Sequence, residues 1–204
     1  MSKKIFKIVL TGGPCSGKTS SRDYLKKYYE DRGWVVYVVP ETATILFESG
    51  VTYRNGDMTI GAFQRAVAEM QKMHEDKFVE IAKRISAEKV LILYDRGIMD
   101  GGAYMEPEDF YPMIEEVYDD KTENILNRYD MVIHLVTTAI GAPNFYSYNN
   151  PMRSETPEQA AEKDRKTEKL WSAHHNLLKI DNSTNFEQKL KKISDLVDSN
   201  LGNI

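Results

Sequence analysis

The chain has 204 residues, 41% of them hydrophobic and 28% charged, and a net charge of −4. That balance suits a single compact domain over residues 1–204 and excludes collagen-like, disordered and membrane-embedded compositions. The acidic excess argues against general nucleic-acid binding, which needs a basic face to displace counterions, and the one cysteine, Cys15, rules out an intramolecular disulfide or a Cys-rich metal site.

Short apolar runs alternate with helical patterns, the order expected of a parallel sheet wrapped by helices. Ile5–Leu10 reads as the first strand. It is too short for a secretory segment, Lys7 interrupts it, and Gly-Gly-Pro follows at once. No other run approaches the ~20 apolar residues of a membrane span, so a cytoplasmic location is expected. Thr19 to about Asp31 reads as a helix stopped by Gly33, Trp34–Val39 as a second strand, and Glu41–Phe47 as a short helix. From about Met58 to Glu88, Phe63, Val67, Met70, Phe78, Ile81 and Ile85 trace one buried stripe of a long helix, which His74 fits. Val90–Tyr94 is a third strand. The acidic, mixed stretch from Ile98 to Arg128 suggests no chemistry. Met131–Val136 is a fourth strand.

The irregular stretch after Thr137 is too long for an ordinary connection and reads as a functional lid, about 140–166. Thr156, Pro157 and Gln159 form a capping-box pattern that opens a helix running through Trp171. Leu177–Ile180 is a fifth strand, and a last helix from Phe186 to Leu201 is expected to turn Leu190, Ile193 and Val197 inward.

Gly12-Gly13-Pro14-Cys15-Ser16-Gly17-Lys18-Thr19 fits G-x-x-x-x-G-K-[ST] without a gap, between a predicted strand and a predicted helix. Glycines at 12 and 17 let the backbone turn so that successive N–H groups converge on phosphate oxygens, and the helix N-terminus adds partial positive charge. Lys18 is expected to reach the β- and γ-phosphates of ATP or GTP, the Thr19 hydroxyl to ligate Mg2+, and Ser20 to follow in the same site.

Asp95 ends the third strand and Glu41 follows the second, so both belong to the carboxyl edge of the sheet, where ligands bind. Asp95 is a candidate for Mg2+ ligation through water. Either carboxylate could accept a proton from an acceptor hydroxyl. Arg153 in the expected lid and Arg165 behind it are candidates to stabilise the charge of a transferring phosphoryl group. Gln64 could hydrogen-bond an acceptor, and Phe145, Tyr146 and Tyr148 could stack on a base or cover the underside of the lid. The histidines suggest no metal site.

LTGGPCSGKTS (10–20), VVPETATIL (38–46), FQ (63–64), YDRGIMD (94–100) and YDMVIHLVTTAIGAPNFY (129–146) together resemble the NadR-like AAA family of P-loop proteins, which is grouped with small-molecule kinases. NPMRSETPEQAAEKDRKTEKLW (150–171) and KIDNSTNFEQKL (179–190) extend the resemblance over nearly the whole chain. A fainter similarity to nucleoside kinases implies acceptor-side roles for Glu41, Gln64 and the Asp95-Arg96 pair, and a base contact for Asn182 after strand five. Gly97 departs from the serine common after that pair in deoxynucleoside kinases, and no Asn-Lys-x-Asp guanine motif is present.

The expected fold is a three-layer α/β P-loop domain with parallel strand order 2-3-1-4-5 and an Arg-containing lid. The expected function is transfer of the γ-phosphoryl group of a nucleoside triphosphate to a small, hydroxyl-bearing, nucleoside-like acceptor. The alternative is a nucleotide-dependent binding module or slow NTPase switch with no such acceptor.

Overall fold

The computed structural model describes residues 3–146 and 156–202. Five parallel strands, β1 (Lys4–Thr11), β2 (Val35–Val39), β3 (Lys89–Asp95), β4 (Met131–Leu135) and β5 (Leu177–Ile180), form one sheet in the order β2-β3-β1-β4-β5. This is the expected order. The β1–β3 register pairs Leu10 with Asp95, so the end of β3 lies beside the start of the phosphate loop.

Both faces of the sheet are covered, which is why its strands read as near-continuous apolar runs. On one face, Phe6, Ile8 and Leu10 of β1 pack with Leu91 and Leu93 of β3 under α1 (Lys18–Glu30) and a C-terminal helix, Phe186–Gly202. On the other, Val9, Ile92, Tyr94 and Val132 lie under three further helices: Ile60–Arg84, Pro107–Tyr118 and Pro157–Trp171. With the short helices Thr42–Glu48 and Thr122–Leu126, these are numbered in chain order: α2 (Thr42–Glu48), α3 (Ile60–Arg84), α4 (Pro107–Tyr118), α5 (Thr122–Leu126), α6 (Pro157–Trp171) and α7 (Phe186–Gly202).

The helix boundaries follow local chemistry. Thr59 Oγ1 accepts from Ala62 N at the start of α3. At α6 the capping box forms as expected: Thr156 N donates to Gln159 Oε1 (2.9 Å) and Gln159 N to Thr156 Oγ1 (3.3 Å), with Pro157 at the first helical position. Because α6 begins at Pro157 and buries Ala160, Ala161 and Asp164, the final part of the span expected as a lid is a packed helix. A 3-10 turn, Ile98–Tyr104, and α4 and α5 organise the stretch that suggested no chemistry.

The long helix corrects the predicted stripe. Its buried residues are Phe63, Gln64, Ala68, Gln71, Glu75 and Ala82, whereas Ile81 is exposed and His74 only half-buried. Alanine at 68 and 82 gives a slim face to the sheet. The polar groups between them are tolerable inside because they have partners: Thr42 Oγ1 donates to Gln71 Oε1 (2.7 Å), and Glu75 receives Gln71, Tyr118, Tyr129 and Arg128.

Trp171, fully buried at the end of α6, ties that helix to the 3-10 turn by donating Nε1–H to Asp100 Oδ2 at 3.0 Å. Its ring fills the space above Gly97, where an added Cβ would stand 2.8 Å from the indole and 3.1 Å from Val9 Cγ2. This explains the absence of a serine after Asp95-Arg96. Gly97→Ser is expected to destabilise the fold by about 1–3 kcal/mol through overpacking, read as a lower urea midpoint at unchanged slope; an unchanged midpoint would show that the indole yields freely.

Candidate active site

The loop from Gly12 to Thr19 leaves β1 and enters α1 through two glycines that no other residue could replace without strain. Gly12 has φ +131°, and a Cβ there would stand 2.0 Å from the Leu135 carbonyl oxygen; Gly17 caps α1 at φ +89°. Among the described residues, the amides of Ser16, Gly17, Lys18 and Thr19 donate to no protein acceptor, as expected of a helix N-terminus built to receive an anion. Lys18 Nζ meanwhile turns back to the carbonyls of Gly12 and Gly13 (both 2.9 Å) and to Ser16 Oγ (3.2 Å). Burial and the nearby Arg96 guanidinium lower its pKa to about 8, against the pull of Glu41, Asp95 and Asp100.

Groups behind the loop fix its shape. The buried Asp164 carboxylate on α6 accepts Gly13 N (2.7 Å) and Thr137 N (3.0 Å) on Oδ1 and His134 Nε2–H (3.2 Å) on Oδ2. Burial works against its charge, but His134 and these two amides hold the carboxyl below its ordinary pKa. Thr137 Oγ1 donates to the Pro14 carbonyl, and Thr138 N to that of Cys15 (3.3 Å). From α7, the buried Lys189 ammonium reaches Ser16 O (3.2 Å) and Asn182 Oδ1 (2.9 Å); burial lowers its pKa to about 8. His134, Asp164 and Glu168 each bring a potential ligand atom within 4.8 Å of the others, but Asp164 is committed as described and Glu168 holds Lys179 at 2.7 Å.

In front of the loop opens a cleft of about 560 Å³, which joins Pro14–Ser20 to the ends of β2 and β3. It brings together Lys18, Thr19, Glu41, Gln64, Asp95 and Arg96, which come from four separate stretches of the sequence. Arg96 is the hinge of this group. Held at φ +70°, its guanidinium donates to Glu41 Oε1 (2.5 Å), Asp100 Oδ1 (2.8 Å) and Gly12 O (3.2 Å). Asp100 is in turn saturated by Thr11 Oγ1 (2.7 Å), Trp171 Nε1 and Gly97 N. Asp95 Oδ2 takes Arg22 Nη1 at 3.1 Å.

The two edge carboxylates titrate in opposite directions. Burial, reinforced by Glu41, raises the pKa of Asp95 above the ordinary value even with Lys18 near. Burial also pushes against ionised Glu41, but Arg96, Lys18 and the Thr44 hydroxyl (3.0 Å) together hold it below the ordinary value. The far wall is aromatic: Phe47 stacks on Phe63 (4.7 Å between centroids), Tyr53 meets Phe63 edge-on, and Arg54 lies over Phe47. Gln64, 6% exposed, lines the same wall.

Other expected residues lie elsewhere. Arg165 is exposed on α6 and outside the cleft lining; the inward residue at that level is its neighbour Asp164, because α6 packs that face on the loop. Asn182 sits behind the loop, its Nδ2 donating to the carbonyls of Val136, Thr137 and Ile140, so its amide is spent on joining two connections. Phe145 is 77% exposed at the rim of the cleft. Arg153 and Tyr148 lie outside the described residues.

Asp100, Asp164, Lys189 and Arg22 escaped the sequence reading. Asp100 stands four residues after Arg96, an ion-pair spacing on a helical turn. Lys189 stands four before Ile193 on the buried face of α7, and a lysine on an apolar stripe is itself a signal. For Asp164, one carboxylate within a charged helix, no comparable signal exists.

Among the described residues, no helix is long and apolar enough to cross a membrane. Compared with curated proteins, the chain finds no match. A family model described as an AAA domain matches residues 7–189, from the middle of β1 to Lys189 behind the phosphate loop. The span takes in the whole phosphate loop, all the described cleft residues and the elements that hold them, and the chain belongs to this AAA domain family of P-loop nucleotide-binding proteins.

Proposed function

We propose that the protein is a kinase that moves the γ-phosphoryl group of ATP or GTP to a small hydroxyl-bearing, nucleoside-like acceptor. One observation carries this reading: the cleft does not stop at the phosphate loop but continues past Glu41, Asp95 and Arg96 to an aromatic wall with a buried glutamine. A protein that only hydrolyses or senses nucleotide needs room for water there. A wall of Phe47, Tyr53 and Phe63 beside Gln64 suits a flat ring with polar edges.

The roles follow from charge and position. Lys18 and the unpartnered loop amides bind the donor phosphates, with Lys18 exchanging backbone carbonyls for phosphate oxygens. Glu41, held ionised by Arg96, accepts the proton of the acceptor hydroxyl; Arg96 fixes that carboxylate and the acceptor end of the site. Mg2+ fits the donor set. Thr19 offers a hydroxyl and Asp95 a carboxylate in the cleft, whose walls carry Glu41, Glu48, Asp95 and Asp100 against Lys18, Arg54 and Arg96. When bound, Mg2+ supplies charge neutralisation of the phosphates. Arg153, outside the described residues, keeps its place in this reading on sequence alone, as the cation brought to the transferring group. Arg165 is given no role.

Incubation with a nucleoside triphosphate, Mg2+ and a panel of nucleosides and related alcohols is expected to give a new phosphomonoester signal in the phosphorus NMR spectrum with one acceptor class. Slow phosphate release that ignores every acceptor would instead establish the NTPase or switch reading. Glu41→Gln is expected to lower acceptor phosphorylation by about 10²–10⁴-fold while changing nucleotide affinity little; equal losses in both would make Glu41 a binding group.

The half-buried ammonium of Lys18 carries a stability cost that function imposes. Its pKa is lower in the folded chain than in the unfolded one, so the unfolded state binds more protons between about pH 8 and 10.5, and stability attributable to this group rises across that window. Below pH 8 the full cost is present. Lys18→Met, which keeps the stem, is expected to stabilise the empty protein at pH 7 by about 1–3 kcal/mol while removing nucleotide binding. Denaturant titration and calorimetry check the two halves, and the stability gain should shrink as pH rises towards 10.5.

A further inference from the structure

Three consecutive carbonyls of the phosphate loop are held from behind, each by a different donor. Thr137 Oγ1 takes the Pro14 carbonyl, Thr138 N that of Cys15 (3.3 Å), and Lys189 Nζ that of Ser16 (3.2 Å). Of the three donors, only Lys189 carries a charge. It stands on the buried face of α7, is 3% exposed, and makes no ion pair among the described residues. Its two acceptors, Ser16 O and Asn182 Oδ1 (2.9 Å), are neutral. The orientation of the Asn182 amide is fixed, because its Nδ2 serves the carbonyls of Val136, Thr137 and Ile140. A buried ammonium that meets only neutral oxygens is costly, and this one is seated against a loop whose ligand is an anion.

The link to that anion is one peptide group long. The Ser16 carbonyl and the Gly17 N–H are opposite ends of one planar amide. A cation on the oxygen therefore draws electron density from the nitrogen and makes the N–H a stronger donor. Gly17 lines the cleft, and its amide donates to no protein acceptor among the described residues. Two hydrogen bonds and the width of the amide put the Lys189 nitrogen roughly 8 Å from a phosphate oxygen held by Gly17. In a protein interior, a unit charge at that distance changes the binding of an anion by about 5- to 30-fold.

We propose that Lys189 is a positioning residue for nucleotide binding: from behind the loop it seats the Ser16–Gly17 peptide and polarises the Gly17 N–H towards the phosphates. Part of the affinity then comes from a charge that never touches the ligand. This role differs from that of Lys18, whose side of the loop faces the cleft. It requires only phosphate binding at the loop and holds alike for a kinase, an NTPase or a switch. Burial brings the Lys189 pKa down to about 8, against the pull of Asp164 on α6 and Asp181 beyond β5, so the charge is present at neutral pH.

Lys189→Met keeps the stem and removes the charge. Calorimetric titration of the whole chain with MgATP and MgGTP is expected to show affinity about 5- to 30-fold weaker for whichever nucleotide the unsubstituted chain binds. The urea midpoint should move little, because lost hydrogen bonds and relieved burial of charge oppose each other. In the empty protein, the NMR signals of the Ser16 carbonyl carbon and the Gly17 amide nitrogen should shift. The Pro14 and Cys15 carbonyl carbons, held by Thr137 and Thr138, should stay in place. Unchanged affinity in the folded variant overturns the role. So does a loss of affinity with a lower midpoint and shifts throughout residues 13–17, which would make Lys189 a packing residue. A measurement on the unsubstituted chain needs no variant to fold: by linkage, saturating nucleotide should raise the proton affinity of Lys189 by the same factor. It is read as an upward move of the Lys189 side-chain NMR titration, and a titration that nucleotide leaves in place overturns the role. Binding of neither nucleotide by the unsubstituted chain, with the Ser16 carbon still responding to Lys189→Met, would remove the nucleotide site itself and this role with it.

Discussion

An ammonium group enclosed beside unpartnered amides is the constraint on which the rest of the site depends. Lys18 and the amides from Ser16 to Thr19 place positive charge and donors at one point, and among the described residues only two carbonyl oxygens and the Ser16 hydroxyl, all bonded to Lys18, answer them. Such a loop would relax or collapse if it stood alone. It is prevented from doing so from behind: Asp164 takes the Gly13 amide, Thr137 the Pro14 carbonyl and Lys189 the Ser16 carbonyl. These groups belong to α6, the β4 exit and α7, so the elements on both faces of the sheet contribute to one backbone conformation. The buried charges cost stability individually. Together they leave the loop's anion-binding side unsatisfied, which is what gives an incoming phosphate something to gain.

The same logic extends to the carboxyl edge. Among the described residues, Arg96 is the cation bonded to both Glu41 and Asp100, and it occupies a left-handed backbone conformation that a non-glycine residue adopts at some cost. Trp171 and Gly97 complete the arrangement, because the indole holds Asp100 and fills the space that a side chain at 97 would need. A single orientation of Arg96 therefore follows from packing as much as from charge. The consequence is that the two edge carboxylates differ: the Arg96 guanidinium holds Glu41 below its ordinary pKa, while burial, less compensated, raises that of Asp95.

Strands and caps were legible in the sequence because each depends on residues adjacent in the chain. Leu177–Ile180 and the Thr156–Gln159 capping box are local patterns, and the phosphate loop is a contiguous motif. The edge placement of Glu41, Asp95 and Arg96 was legible because a parallel sheet gathers strand ends. What could not be read was which face of a helix meets the sheet when polar residues lie on it. The α3 stripe of Val67, Met70 and Ile81 is apolar, yet the helix buries Gln64, Gln71 and Glu75, since partners from α2, α4 and the β4 entry satisfy them. For the same reason it is Asp164, and not the neighbouring Arg165, that meets the phosphate loop from α6. Burial of a polar group is decided by partners distant in sequence, and periodicity carries no information about them.

That burial also makes Glu75 the junction of a hydrogen-bonded chain that runs from Arg128 to Thr42. Glu75 is a carboxylate 2% exposed, and Oε1 alone receives Gln71, Tyr118 and Tyr129. In a low-dielectric interior a carboxylate cannot release a donor without another replacing it, because the unmet charge costs far more than a lost surface contact. Arg128 and the other donors of Glu75 are therefore needed as a set, and one of them is the amide that holds Thr42 at the cleft. A wholly apolar α3 face would have packed the sheet more simply. It would also have left nothing to connect Arg128 with the Thr42 hydroxyl at the cleft.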